Sequence, residues 1–117
     1  MFQMRLEGGA PIYEQLERRI TELILSGEMP EGEKLPAVRE IARQLSINPN
    51  TVQKTYASLE AMGLIYSIPS KGSYVAPQKS YLSKVRARSM EEFSEAVTRA
   101  LKNGLSKEEL NEIIKNI

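Results

Sequence analysis

Between Asn48 and Lys54 the chain reads Asn-Pro-Asn-Thr-Val-Gln-Lys. Carboxamides, a hydroxyl and an ammonium are thus gathered within two helical turns. On a wheel of about 100° per residue, Val52, Tyr56 and Leu59 share one face and Asn50, Gln53, Lys54 and Ala57 take the opposite one. Gln53 can pair bidentately with adenine, and Lys54 can meet guanine or a phosphate, with the small Ala57 beside them. Water would satisfy the same face. The elements around it therefore decide what the face is for.

Other chemistries are poorly supplied. The sequence has no His, Cys, Asp or Trp. The usual catalytic triads, carboxylate–imidazole dyads and metal clusters cannot be assembled without them, and disulfides are excluded. Glu, Lys, Ser and Tyr remain as reactive groups. The expectation is a protein that is not an enzyme, with no metal and no cofactor.

Asn48 is a suitable N-cap for the helix carrying this polar face, and Pro49 at its first position gives up an amide that would be unpaired anyway. A shorter helix, about 37–45, precedes it and is expected to bury Val38, Ile41, Ala42 and Leu45 while leaving Arg39 outward. After it, Leu64, Tyr66 and Ile68 alternate, Ser70-Lys71-Gly72-Ser73 makes a turn, and Tyr74-Val75 returns. Gly72 accepts positive φ cheaply and permits close backbone approach to a phosphate, with Lys71 beside it. Helix, turn, helix and hairpin form the geometry that lays one helix in a major groove with a β-ribbon alongside. Double-stranded DNA is the expected partner.

Upstream, Phe2, Met4 and Leu6 alternate with polar residues and predict a short strand ended by glycines. Pro11 suits the first turn of a helix on which Ile12, Leu16, Ile20, Leu23 and Ile24 recur, with Gly27 as its C-terminal cap. Leu35 is expected to form a one- or two-residue strand against the hairpin.

The 117 residues carry a net charge of only +1, but it is unevenly spread. Residues 7–33 hold seven Glu against two Arg; residues 34–75 carry five cations against two Glu; residues 79–88 add four cations and no acid. One basic face beside an acidic one fits a polyanion on one side. A chain this long buries roughly two thirds of its surface, enough for a core without staples. No apolar run approaches a membrane span and no signal-peptide pattern opens the chain, so the expectation is cytoplasmic, with no membrane partner.

Several blocks now resemble the N-terminal domain of the GntR family of bacterial transcription regulators. They are Pro11-Ile12-Tyr13-Glu14-Gln15-Leu16, Ile24-Leu25-Ser26-Gly27, Gly32-Glu33-Lys34-Leu35-Pro36-Ala37-Val38-Arg39-Glu40-Ile41-Ala42, Asn48 to Tyr56, Leu59-Glu60, Gly63-Leu64-Ile65 and Lys71-Gly72. The resemblance covers residues 11–76. It implies that Arg39 contacts base or backbone, and that Asn48, Asn50 and Thr51 contact phosphates or bases. It further implies that Gln53 faces base edges, while Lys71 and Gly72 sit in or beside the minor groove. Some members carry arginine where this chain has Pro49 and Gln53, which bears on guanine readout. The approach Ser67-Ile68-Pro69-Ser70 lacks the basic residues many relatives place there, which implies a weaker phosphate grip from the wing.

The remainder indicates the branch. Leu82, Val85, Met90, Phe93, Ala96, Val97, Ala100 and Leu101 form a broad apolar stripe on one helix, which Gly104 can stop. Ser106-Lys107-Glu108-Glu109 reads as a capping box flanked by Leu105 and Leu110, and Leu110, Ile113, Ile114 and Ile117 line a last short helix. Two such helices cannot enclose a sizeable ligand. They either pack on their own domain or pair with a second copy, and the second is expected. The arrangement resembles the YtrA-like branch of the family, whose short helical tail serves dimerisation.

The expected fold is therefore mainly α with a small β-wing: a winged helix-turn-helix over 1–77 and a two-helix dimerisation tail over 78–117. Leu82, Val85, Phe93, Val97, Leu101, Leu110 and Ile114 are expected at the dimer seam. The expected function is a homodimeric regulator, a repressor on an inverted-repeat operator. A winged-helix adaptor that meets protein through Gln53 and Lys54 is the alternative. Any small-molecule effector would be expected in a crevice between the tail helices and the winged domain, or between subunits.

Overall fold

A computed structural model describes residues 2–117. Five α-helices occur in the order α1 (Ile12–Ser26), α2 (Val38–Leu45), α3 (Pro49–Ala61), α4 (Leu82–Lys102) and α5 (Lys107–Lys115). Strands β1 (Ile65–Ile68) and β2 (Gly72–Val75) follow α3, and a 3-10 turn over Gln78–Ser80 precedes α4. The chain divides into two compact units, one up to Leu82 and one from Ser83 to Ile117.

The first unit has a closed core. Leu16 and Ile20 of α1, Ile41 of α2 and Val52 and Leu59 of α3 are wholly buried, with Leu64, Ile65 and Val75 joining them from the hairpin. The i, i+4 recurrence of Leu16, Ile20 and Ile24 gives α1 its buried stripe, and Gly27 ends it in the left-handed conformation. α1 packs chiefly on α3. Buried Thr55 ties the two helices: its hydroxyl donates to the Thr51 and Tyr13 carbonyls at 3.0 and 3.4 Å. Ser58 also donates to the Glu17 carboxylate at 3.1 Å.

α2 begins at Val38 and buries Ile41 and Ala42, whereas Val38 and Leu45, expected in the core, are only half-buried at its two ends. Its exit is a Schellman turn: the Ile47 amide donates to the Ala42 carbonyl at 2.9 Å, with Ser46 at φ 55°. That turn sets α3 across α2. The Tyr56 hydroxyl then donates to the Pro36 carbonyl at 2.6 Å, fastening α3 to the segment before α2. Burial, reinforced by Glu40, pushes the Tyr56 phenol well above its ordinary range.

α3 ends in a second Schellman turn at Gly63, where φ is 79° and the Leu64 amide donates to the Leu59 carbonyl at 3.0 Å. A Cβ at Gly63 would lie 2.1 Å from the Ser80 carbonyl oxygen, so no other residue fits there. The same approach brings Tyr81 into the first unit's core.

The expected N-terminal strand does not form. Phe2, Met4 and Leu6 do alternate in burial with Gln3, Arg5 and Glu7, but side chains of α1 take the backbone's polar groups instead of a neighbouring strand. Gln15 accepts from the Glu7 amide at 2.8 Å and donates to the Glu7 and Ala10 carbonyls, and Arg19 donates to Gln3 at 3.3 Å. A row of extended residues satisfied this way needs no ladder.

The tail differs in kind. Neither α4 nor α5 has a buried residue. Gly104, at φ 102°, closes α4 with the Leu105 amide donating to the Ala100 carbonyl at 3.1 Å. Ser106 and Glu109 make the reciprocal capping box that starts α5.

Candidate nucleic-acid interface

The exposed face of α3 is the site's centre. The Asn48 side-chain oxygen accepts from the Asn50 amide at 2.8 Å, which caps the helix and leaves the Asn48 NH2 group for other partners. Asn50, Gln53, Lys54 and Ala57 are all exposed, while Val52, Thr55, Tyr56 and Leu59 bury the other side. Thr51 stands half-buried at the boundary. Burial of one face thus fixes how the other is presented, to within the rotation the core allows.

Lys54 has a more specific setting than the wheel implies. Its Nζ lies 3.9 Å from the ring centroid of Tyr13 on α1. The cation–π contact holds the ammonium toward the α1 side of α3, restricting its rotamers while leaving it solvent-exposed. Arg39 and Arg43 are exposed on α2. Their exposure follows from the burial of Ile41 and Ala42 between them.

The hairpin pairs Ile65 with Val75, Tyr66 with Tyr74, Ser67 with Ser73 and Ile68 with Gly72. Ile65 and Val75 face the core. Leu64, read from the sequence as sharing a face with Tyr66 and Ile68, is buried while those two are exposed, because it belongs to the α3 exit rather than to the strand. At the tip the Lys71 amide donates to the Ile68 carbonyl at 2.9 Å. Pro69 and Ser70 are the central turn residues, and Ser70 takes φ 67°, the pattern of a type II turn. Lys71 and Gly72 follow, both exposed. The stacked rings of Tyr66 and Tyr74, centroids 5.8 Å apart, stiffen the outer face.

The extra strand expected near Leu35 is present, one residue earlier. Lys34 bridges to Tyr74, and the Leu35 amide donates to the Ser73 carbonyl at 2.8 Å. Sequence reasoning missed three features: the Tyr13–Lys54 pair, the buried hydroxyl of Thr55, and Lys34 at the hairpin's edge. The place of Thr55 on the apolar face of α3, three residues after Val52 and four before Leu59, was a signal for the second. The other two depend on tertiary contacts.

No group of His, Cys or acidic residues that could hold a metal occurs among the described residues. No helix of those residues is long and apolar enough to cross a membrane.

Three helices with a β-hairpin after the third, and the third helix turning a polar face outward, define a winged helix-turn-helix protein. Residues 12–75 match the model of the bacterial regulatory proteins of the gntR family. The chain is 37% identical over 119 residues to the HTH-type transcriptional repressor YtrA of Bacillus subtilis, a match covering 100% of this chain and 92% of that protein. A GntR family transcriptional regulator from Listeria monocytogenes superposes with a TM-score of 0.75 at 28% identity, covering 96% of this chain and 99% of that one. AraR(DBD) in complex with operator ORE1 superposes with a TM-score of 0.56 at 29% identity, covering 65% of this chain and 95% of that one. The protein belongs to the GntR family of DNA-binding transcription regulators, with the YtrA repressor similar to it over its full length.

Proposed function

We propose that the protein is a repressor that binds an inverted-repeat operator as a homodimer, α3 lying in the major groove and the hairpin against the minor groove. The observation that carries this reading is the division of α3. One face is sealed in the core, and the other offers Asn50, Gln53, Lys54 and Ala57 to solvent. Gln53 reads a base edge, and Asn50 and Thr51 meet phosphate at the helix N-terminus, where backbone amides and the dipole favour an anion. The Asn48 NH2, Arg39, Lys54 and Lys71 add backbone contacts, and Gly72 lets the wing approach closely. The repressor named YtrA and the operator-bound AraR domain support the assignment by similarity.

The tail supplies the second copy. Phe93 and Ile114 are 56% and 53% exposed, a poor solution for a monomer. Leu82 and Leu101 are also exposed, and Val85, Val97 and Leu110 only half-covered. A homodimer paired through these residues is expected to read an operator whose two half-sites lie about one helical turn apart.

The test is selection of bound duplexes from random DNA, followed by gel shifts with Gln53→Ala. The variant is expected to lose discrimination at one position per half-site, by roughly 1–3 kcal/mol. Identical specificity profiles for wild type and variant would remove Gln53 from the reading surface.

A further inference from the structure

The wing's own approach, Ser67-Ile68-Pro69-Ser70, carries no cation, yet the structure brings one to it from elsewhere in the chain. Lys34 lies 37 positions before Lys71 in sequence and is bridged to Tyr74 in the antiparallel sense. Residues paired across strands project to the same face. Lys34, Tyr74 and Tyr66 therefore form one row across the outer face, with Gly72 and Ile68 in the next row toward the tip.

The Lys34 side chain runs toward that tip. A Cβ built on Gly72 would come within 2.9 Å of Lys34 Cε and 3.7 Å of its Nζ. The missing side chain of Gly72 is thus the lane in which the lysine stem lies. Lys34 is exposed and forms no ion pair with a described residue. The stacked rings of Tyr66 and Tyr74 wall the row behind it.

We infer that Lys34 is the wing's second cation, a phosphate-contacting residue supplied by the segment before α2 and seated across Gly72 beside Lys71. The inference rests on the DNA reading above. Gly72 thereby gains a second role. Besides permitting close approach, it clears the path of a side chain that adds charge to a wing otherwise served by Lys71 alone. A point-like ammonium on a flexible stem fits a phosphate of the DNA backbone better than a base edge. The contact should therefore add affinity without sequence preference.

The test uses the intact protein and two duplexes, one selected from random DNA and one unrelated, with affinity measured across a salt series. Lys34→Met keeps an apolar stem over Gly72 and removes the charge; Lys34→Gln removes it with a polar end; Lys34→Arg retains it. Both neutral variants are expected to lower the slope of log affinity against log salt by about one on each duplex, and Lys34→Arg to leave it unchanged. Because Lys34 pairs through its backbone, thermal unfolding of all three should match wild type. Wild-type binding with an unmoved slope in Lys34→Met and Lys34→Gln overturns this inference alone. A wild-type protein with no salt-dependent affinity for either duplex overturns the DNA reading and this inference with it.

Discussion

The two units of the chain treat their apolar residues in opposite ways. In the first, Leu16, Ile20, Ile41, Val52 and Leu59 are fully removed from water. In the second, no residue of α4 or α5 is buried, and Met90, Phe93, Ile113 and Ile114 are each more than half exposed. Local signals do not explain the contrast. Both units have proper start and stop chemistry, and the tail's includes a full capping box at Ser106 and Glu109 and a glycine Schellman turn at Gly104. Caps and propensity specify that helices form and where they end. They contribute about 1 kcal/mol apiece and cannot supply a core. The first unit completes its core with its own chain; the tail presents an apolar surface that a second tail can complete.

That contrast can be broken from either side, and the largest effect is expected in the tail. Replacing Phe93 and Val97 together by Glu puts charge where the proposed seam would be desolvated. The outcome should be a folded monomer whose DNA affinity falls by roughly 10²–10⁴, the avidity lost when two tethered modules become one. Gel shifts paired with circular dichroism check both halves of that statement. Retained operator affinity would show that one copy suffices.

The next effect is on stability. Ile20→Ala removes a fully buried side chain and should cost about 2–5 kcal/mol in chemical denaturation. Ile113→Ala, from a side chain 53% exposed in the single chain, should instead cost stability only at concentrations where the protein is paired, the loss fading on dilution. A concentration-independent loss in Ile113→Ala would place that residue in a core of its own chain.

The smallest effect comes from Tyr56→Phe. It leaves the Pro36 carbonyl without the donor now at 2.6 Å, for a loss of roughly 1–3 kcal/mol at neutral pH. The folded-state phenol titrates above the ordinary value, so its contribution is complete below about pH 10 and declines as pH rises beyond that toward the folded-state value. Wild type should therefore lose stability between about pH 10 and 12 faster than Tyr56→Phe, as read from melting temperatures. Parallel pH profiles would deny the phenol that role.

Much of this was legible in the residues themselves. The Asn48-Pro49 start of α3, its two faces and the capping box at Ser106 are local devices that act over three or four positions, and each appears where the spacing puts it. The hairpin's existence was legible too, since Gly72 and the flanking apolar residues mark it. Its phase was less so: Leu64 mimics a strand residue because the α3 exit and β1 follow without a break. Phe2, Met4 and Leu6 had the period of a strand, yet Gln15 and Arg19 took the backbone groups that a strand would have paired. The placements of Lys34 and Lys54 were hidden because each depends on a partner far off in sequence, Gly72 in one case and Tyr13 in the other.

The mass of the intact protein in solution tests the central claim most directly. Light scattering at micromolar concentration should return twice the 13.2 kDa chain mass, and the Phe93→Glu, Val97→Glu double variant should return that mass once. An intact chain that scatters as a monomer would contradict pairing through the tail.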